Sequence, residues 1–249
     1  MTTDDIVIDV SQDWLQACFV QEQFMRGPVS NHCRMDYAAS CRQMRALGGD
    51  CYDFSCQPDG QLTMLVGDAS GKGVAAALMM ASVQASVRTA ALFTGSDLAS
   101  LLRVVNTLIC SSSPADRYAT LFYAVINPVI RKLRYVNAGH NPPAILHRDG
   151  SVDWLEPCGA PVGLFPDATW QERTVQLRPG DRVVAYTDGV TEASSPFGAQ
   201  WDVEGLIRAV DARRSDSADA LVRSILAALD DFSRGIQTDD ATVAVLCVR

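Results

Sequence analysis

The chain has 249 residues, a net charge of −8 at neutral pH and a pI of about 4.8. Hydrophobic residues make up 48% of it, enough for the core of one large domain or two small ones. An acidic chain without a run of Lys and Arg argues against nucleic acid as a partner. We find no apolar run near the length of a membrane span, and the N-terminus MTTDDIVIDV is acidic where a signal peptide is basic. These features predict a cytoplasmic protein with no membrane partner.

The first half of the chain predicts a helix, a hairpin and two more helices. The stretch from Ser11 to Met25 has a broad apolar face, with Ser11 as its N-cap and Gly27-Pro28 as its end. GGDCYDF and LTMLVGD then form a hairpin closed by Asp59-Gly60. A helix rich in Ala, Ser and Met runs from Val74 to Phe93, and Ser96 caps the next helix, DLASLLRVVNTLIC.

The second half changes to the period of strands. Strand-like segments are YATLFYAVINP, KLRYVNAGHNPPAILH, WLEPCGAPVGL, TWQERTVQL and DRVVAYTDG. Helices are predicted near residues 203–213 and 217–232, followed by a last strand, ATVAVLCV. No linker divides the chain. The pattern predicts an α+β domain whose antiparallel strands carry a helical pair inserted after the first hairpin.

The eight cysteines form no CxxC pair and show no spacing with His that suggests zinc. We expect them to be reduced, mostly buried and apolar in character.

The stretch VGDASGKGVAAAL invites comparison with a nucleotide-binding loop. A P-loop needs two glycines separated by four residues, then Lys and a hydroxyl residue. Here Gly67 and Gly71 are separated by three residues, and Gly73 follows Lys72. The spacing therefore argues against ATP. Asp68, at the end of an apolar strand, can instead bind a divalent cation, or it can merely shape the turn and cap the next helix.

Four aspartates share this context. Asp50, Asp68, Asp188 and Asp239 each lie at the tip of a predicted strand beside a small residue. Such a set could hold two metal ions about 3.5–4 Å apart, the arrangement that activates water for attack on phosphorus. Each aspartate alone is equally explained as a turn residue, and spacing does not establish that the four converge.

The motifs GGDCYDF, GDASGKGVAAAL, YATLFYAVINP, NAGHNPP, PVGL, LRPGDRVVAYTDGVTEA and DDATVAVL occur in that order. Together they resemble the metal-dependent (PPM-type, type 2C) serine/threonine phosphatases, in the bacterial branch of SpoIIE and RsbU. The resemblance covers residues 36–248. It implies a β-sandwich of two antiparallel sheets flanked by helices (αββα), with two Mn²⁺ or Mg²⁺ ions at one edge. Residues 1–35 would form a helical segment before a phosphatase domain at 36–249.

The resemblance also assigns the site. Asp50, Asp68, Asp188 and Asp239 match the acidic metal ligands, Asp68 bridges both ions, and the backbone carbonyl of Ala69 binds one of them. Asp53 and Asp240 are expected beside this set rather than in it. Ala69-Ser70 stand where the eukaryotic branch has a histidine, so no general acid is assigned. We expect Lys72 and Arg45 to be solvated and His140 to shape its loop, although Lys72 and Arg45 could instead contact phosphate.

The implied activity is hydrolysis of phosphoserine or phosphothreonine by a water that bridges the two metals. By resemblance, the substrate would be a phosphorylated STAS-type anti-sigma-factor antagonist. A catalytically silent module that only binds this partner is the alternative, and the four intact acids argue against it.

The first predicted helix carries more large apolar side chains than an exposed helix normally shows, namely Trp14, Leu15, Cys18, Phe19 and Phe24. Its apolar face either packs on the rest of the chain or pairs with its twin in a homodimer.

Overall fold

The computed structural model describes residues 10–25, 35–94, 97–114, 116–213 and 216–249. Its helices are α1 Val10–Met25, α2 Val74–Phe93, α3 Leu98–Ser112, α4 Asp188–Thr191, α5 Asp202–Asp211 and α6 Ala218–Ser233. Its strands are β1 Asp36–Arg42, β2 Asp50–Cys56, β3 Leu62–Ala69, β4 Ala119–Asn127, β5 Lys132–Ala138, β6 Ala144–Leu146, β7 Val152–Trp154, β8 Arg173–Gln176, β9 Arg182–Tyr186 and β10 Ala241–Cys247.

The strands form two five-stranded antiparallel sheets, in the orders β1-β10-β9-β6-β7 and β2-β3-β4-β5-β8. Apolar side chains of both sheets, including Met64, Phe122 and Leu246, make a central core between them. A second core joins the β2-containing sheet to α2 and α3, and a third joins the β1-containing sheet to α5 and α6. These four layers confirm the predicted αββα sandwich.

The first hairpin forms as predicted. β2 pairs with β3 from Cys56 opposite Leu62 to Asp50 opposite Asp68. The turn between them contains Gly60 at φ 82°, a value that favours glycine. Because the turn fixes the register, the two aspartates lie side by side at the far end of the hairpin.

Helix α2 spans the predicted residues. It is 20 residues long and apolar enough to cross a membrane by length and composition, so the expectation of no such stretch is wrong. Met80, Val83 and Val87 are nevertheless buried against the sheet and α3, as in the core helix of a globular domain.

The N-cap of helix α3 differs from the prediction. The side chain of Asp97 accepts a hydrogen bond from the backbone N–H of Ser100 and caps the helix. The predicted cap, Ser96, lies outside the described residues.

Two predicted strands and two further elements differ from the sequence prediction. KLRYVNAGHNPPAILH forms two strands, β5 and β6, that belong to different sheets. WLEPCGAPVGL is mostly loop, tied to the sheets by isolated bridges such as Ala119 with Val162. Strand β1 and the four-residue helix α4 were not predicted, because β1 gains its partner only from β10 at the other end of the chain.

Helix α1 packs its C-terminal end on α2. The side chain of Gln84 donates to the carbonyl of Phe24, and Met25 is buried. Leu15 and Phe19 remain 70% and 61% exposed, so the apolar face of the helix is only partly covered. The predicted helix end at Gly27-Pro28 lies outside the described residues.

The described cysteines differ in oxidation state. Six described cysteines are free, whereas Cys56 is disulfide-bonded. The expectation that all eight are reduced is therefore wrong for Cys56.

Candidate metal centre

Asp50 lies at the base of the candidate centre. It begins β2 directly opposite Asp68, and only 2% of its surface is exposed. Its Oδ2 accepts hydrogen bonds of 2.7 Å from the hydroxyls of both Thr187 and Thr242. Burial and then the charge of Asp68 raise the pKa of Asp50 well above its ordinary value, and the two threonine bonds oppose that shift. Asp50 is thus an acid held in place by residues from the other sheet.

Asp68 is influenced by several of the other acids. It lies near the end of β3, partly exposed. Burial first, and then the neighbouring charges of Asp188, Asp239 and Asp240, raise its pKa to about 7. Only Lys72 is among the main causes that lower it. An acid in this state gains strongly from a bound cation.

Asp188 is brought to the same edge by β9 and the short helix α4, which it begins. Burial and the charge of Asp239 raise the pKa of Asp188. The next residue, Gly189, could not be larger, because a Cβ there would lie 1.9 Å from the backbone oxygen of Asp240. The close approach of the TDG turn to the start of β10 therefore depends on this glycine.

Asp239 precedes β10 and already has a cationic partner. Its Oδ2 lies 2.6 Å from Nζ of Lys72, which also donates to the carbonyl of Thr238 at 3.3 Å. Lys72 was expected to be solvated. It remains partly exposed but is paired with a predicted metal ligand.

Asp240 and Asp53 each have their own partners in the protein. Asp240 accepts hydrogen bonds from the backbone N–H groups of Met44 (2.7 Å) and Gly49 (2.8 Å). Asp53 accepts a bidentate pair from Arg88, at 2.6 and 2.9 Å. Both acids thus have partners within the protein, and the expectation that they lie beside the metal ligands stays a prediction.

A small gap next to Gly49 is lined by two oxygens and one methyl group. A Cβ on Gly49 would lie 2.9 Å from the carbonyl oxygen of Ala69, 3.1 Å from Cβ of Ala76 and 3.2 Å from Oδ1 of Asp68. The backbone N–H of Ala69 also donates to the carbonyl of Gly49 at 3.1 Å, which fixes the two segments side by side. A backbone carbonyl and a carboxylate that face one space fit Mg²⁺ or Mn²⁺, since hard cations prefer oxygen ligands.

The structure brings the four predicted acids to one edge of the sandwich but does not join them into one cluster. Within the described ranges, no three His, Cys, Asp or Glu side chains are arranged to hold a single ion. The charges of Asp188 and Asp239 raise the pKa of Asp68, and the charge of Asp239 raises that of Asp188. The pKa of Asp50 is raised by burial and by the charges of Asp68 and Asp240.

His140 lies behind the centre. It is buried, its Nδ1 is 2.9 Å from the hydroxyl of Thr120, and its backbone N–H donates to Asn137. Burial lowers the pKa of His140 to about 4, so the ring is neutral. Because Thr120 pairs across the sheet with Asp68, His140 supports the strand that carries this acid. This agrees with a structural role.

Sequence reasoning missed Thr187 and Thr242, whose hydroxyls hold Asp50. Thr187 directly precedes Asp188 in YTDG, and Thr242 follows Asp239 by three residues in DDAT. Their proximity to predicted ligands was a usable signal.

Arg45 is exposed, and its Nη1 lies 3.5 Å from the position of a Cβ on Gly73, at the rim of the same edge.

Comparison with known proteins identifies relatives of this chain. IcfG of Synechocystis sp. is 28% identical over 258 residues, covering 90% of this chain and 39% of IcfG. The chain thus spans well under half of that relative. The phosphoserine phosphatase RsbU of Bacillus subtilis is 27% identical, covering 92% of this chain and 68% of RsbU.

A solved structure shows the same fold. The SiaA-PP2C domain of Pseudomonas aeruginosa has a TM-score of 0.83 at 20% identity, covering 96% of this chain and 97% of that domain. The family model described as Stage II sporulation protein E (SpoIIE) matches residues 58–249, more than half of the chain. The chain therefore belongs to the SpoIIE family, in the SpoIIE/RsbU branch of the PPM-type phosphatases.

Proposed function

We propose that this chain is a manganese- or magnesium-dependent serine/threonine protein phosphatase. Two ions would be held by Asp50, Asp68, the carbonyl of Ala69, Asp188 and Asp239. The observation that carries this proposal is geometric: Asp50 lies directly opposite Asp68 at the end of the first hairpin, and the charges of Asp188 and Asp239 are close enough to raise the pKa of Asp68. Two proteins of the same fold, RsbX (TM-score 0.64) and PstP (TM-score 0.64), have been solved with magnesium and with two manganese ions, which supports the choice of metal.

The two metal ions, when bound, would activate a water for in-line attack on phosphorus and offset charge on the phosphoryl oxygens. The chain's own contribution is positioning. Asp50 is oriented by Thr187 and Thr242, and the Met44 to Gly49 loop is held by Asp240. No histidine follows Asp68, so the leaving oxygen would take its proton from solvent.

The proposed substrate is a phosphorylated STAS-type anti-sigma-factor antagonist in the cytoplasm. Support comes from RsbU and RsbP of Bacillus subtilis, both named phosphoserine phosphatases, which are 27% and 28% identical to this chain. The substrate is thus an inference from relatives, and the ligand set combines the family resemblance with the placement of these acids at one edge of the sandwich.

The test is release of phosphate from a phosphoserine STAS protein by the purified chain in Mn²⁺. We expect turnover of that protein, with a matched phosphotyrosine peptide left intact. Hydrolysis of p-nitrophenyl phosphate without turnover of the STAS protein would contradict the proposed substrate but support phosphatase activity. Hydrolysis of neither compound would contradict phosphatase activity itself.

We also propose that α1 forms a homodimer and biases the metal edge. Gln21 of α1 makes a reciprocal pair with Gly48: its Nε2 donates to the carbonyl at 2.7 Å, and its Oε1 accepts from the N–H at 3.3 Å. Gly48 is two residues from Asp50, so a shift of α1 would reach the site. Deleting residues 1–26 should halve the mass by light scattering and change the turnover rate, whereas unchanged mass and rate would contradict the proposal.

A further inference from the structure

Lys72 reaches the acidic edge because of the turn that carries it. Gly71 and Gly73 on either side have φ of 94° and 73°, values that favour glycine. The turn ends where α2 begins, and the side chain of Lys72 extends to the opposite segment before β10. There its Nζ meets the carboxylate of Asp239 and the carbonyl of Thr238, at 2.6 and 3.3 Å. The contact joins residues 167 positions apart in the chain.

Two other cations near this edge have different partners. Arg88 pairs with Asp53, and Nη1 of Arg117 donates to the carbonyl of Ser70 at 3.1 Å. Lys72, in contrast, also acts on the wider cluster, since its charge lowers the pKa of both Asp68 and Asp188. Lys72 is therefore a cation that offsets the negative charge of the proposed metal ligands.

We propose that Lys72 is a displaceable counter-cation, which pairs with Asp239 and leaves that carboxylate when a divalent ion binds it. The proposal rests on the proposed function, since it assumes that Asp239 is a ligand. Release is feasible because both partners are partly exposed, with side-chain exposures of 43% and 38%. An exposed pair of this kind is weak enough to be exchanged.

The exchange has two consequences for the chain. Without metal, Lys72 reduces repulsion among the acids and helps the edge to stay folded. With metal, the cost of displacing Lys72 and its remaining positive charge both weaken ion binding. Lys72 thus sets the metal concentration at which the site fills.

The test compares Lys72→Met with Lys132→Met, which removes the chain's other lysine at the start of β5, away from the acids. The first measurement is Mn²⁺ affinity by calorimetry. Lys72→Met should bind Mn²⁺ about fivefold more tightly than the wild type, the change that corresponds to about 1 kcal/mol. Lys132→Met should bind as the wild type does.

The second measurement is thermal unfolding in EDTA. Lys72→Met should unfold at a lower temperature than Lys132→Met in EDTA, and this deficit should disappear in excess Mn²⁺. Lys72→Arg, which keeps the charge, should restore stability in EDTA. Equal or weaker Mn²⁺ binding by Lys72→Met, or equal unfolding temperatures in EDTA, would overturn the exchange.

The outcomes separate this proposal from the proposed function. Tighter Mn²⁺ binding by Lys72→Met in a protein without phosphatase activity would overturn the function and support the exchange. Phosphatase activity with no effect of Lys72→Met on affinity would support the function and overturn the exchange. Absence of Mn²⁺ binding in the wild type would overturn both.

Discussion

Strand β9 has an aspartate near each end, and the two acids have different surroundings. Before the strand, Asp181 is buried and accepts hydrogen bonds from Nδ1 of His147 (2.9 Å) and the backbone N–H of Arg178 (2.7 Å). After the strand, Asp188 faces Asp239, and burial and that charge raise its pKa. The first acid is satisfied within the chain. The second is a proposed metal ligand, so the proposal makes the acids beside one strand structural at one end and functional at the other.

The largest expected effect is the loss of phosphatase turnover on substitution of Asp188, the acid that follows β9. Asp188→Asn keeps the shape of the side chain and removes a proposed ligand charge. Turnover at low Mn²⁺ should fall about 100-fold or more, since loss of even an outer partner of a metal site commonly costs 10–100-fold. A phosphatase assay over a range of Mn²⁺ measures this, with Asp153→Asn, an exposed acid at the other end, as the control. Near-normal turnover of Asp188→Asn would refute its assignment.

Gly49→Ala tests the gap between Asp68 and Ala69. The new Cβ would crowd both oxygens, so we expect Mn²⁺ affinity to fall about tenfold, within the range for disturbed metal surroundings. Calorimetry measures the affinity, and the unfolding temperature in EDTA shows whether the fold is intact. Unchanged affinity in a folded variant would mean that no ion binds in this gap.

His147→Gln tests the structural role of Asp181, the acid that precedes β9. His147 has only 8% of its side chain exposed and meets Asp181 and Asp153 through its two ring nitrogens, at 2.9 and 3.0 Å. Losing these charge-assisted bonds should cost about 2 kcal/mol in the free energy of unfolding. Chemical denaturation measures that cost, and turnover per folded molecule should not change. A His147→Gln variant that is as stable as the wild type but has impaired turnover would contradict the structural role of Asp181 and His147.

The pH dependence of stability should be the smallest effect. Burial alone would lower the pKa of His147, but its hydrogen bonds to Asp153 and Asp181 outweigh burial and raise it. A raised histidine pKa contributes stability fully below the unfolded value of about 6.5 and loses it as pH rises through the folded pKa. In excess Mg²⁺, the wild type should therefore lose its advantage over His147→Gln as the pH rises above about 6.5. An advantage that grows with pH would contradict this sign.

The sequence predicted those parts of the fold that local pattern determines. The turn at Asp59-Gly60 fixed the hairpin register, and with it the position of Asp50 opposite Asp68. The apolar period and the turn residues likewise predicted α2 and α6.

Contacts between distant segments were beyond prediction. The pairing of Lys72 with Asp239 and the bonds from Thr187 and Thr242 to Asp50 join residues more than 130 positions apart. β1 likewise became a strand only by pairing with β10. Four acids at strand tips could be identified from the sequence, but which have partners inside the protein could not, because those partners lie on other elements.

The measurement that tests the account most directly is phosphate release from a phosphoserine protein before and after removal of metal. In excess EDTA the rate should fall to background, and added Mn²⁺ in excess of the chelator should restore it, because every proposed ligand is an oxygen suited to a hard cation. His147→Gln should follow the same course, since its defect is structural. Full activity in excess EDTA would contradict the metal centre and with it the role assigned to the acids around Asp68.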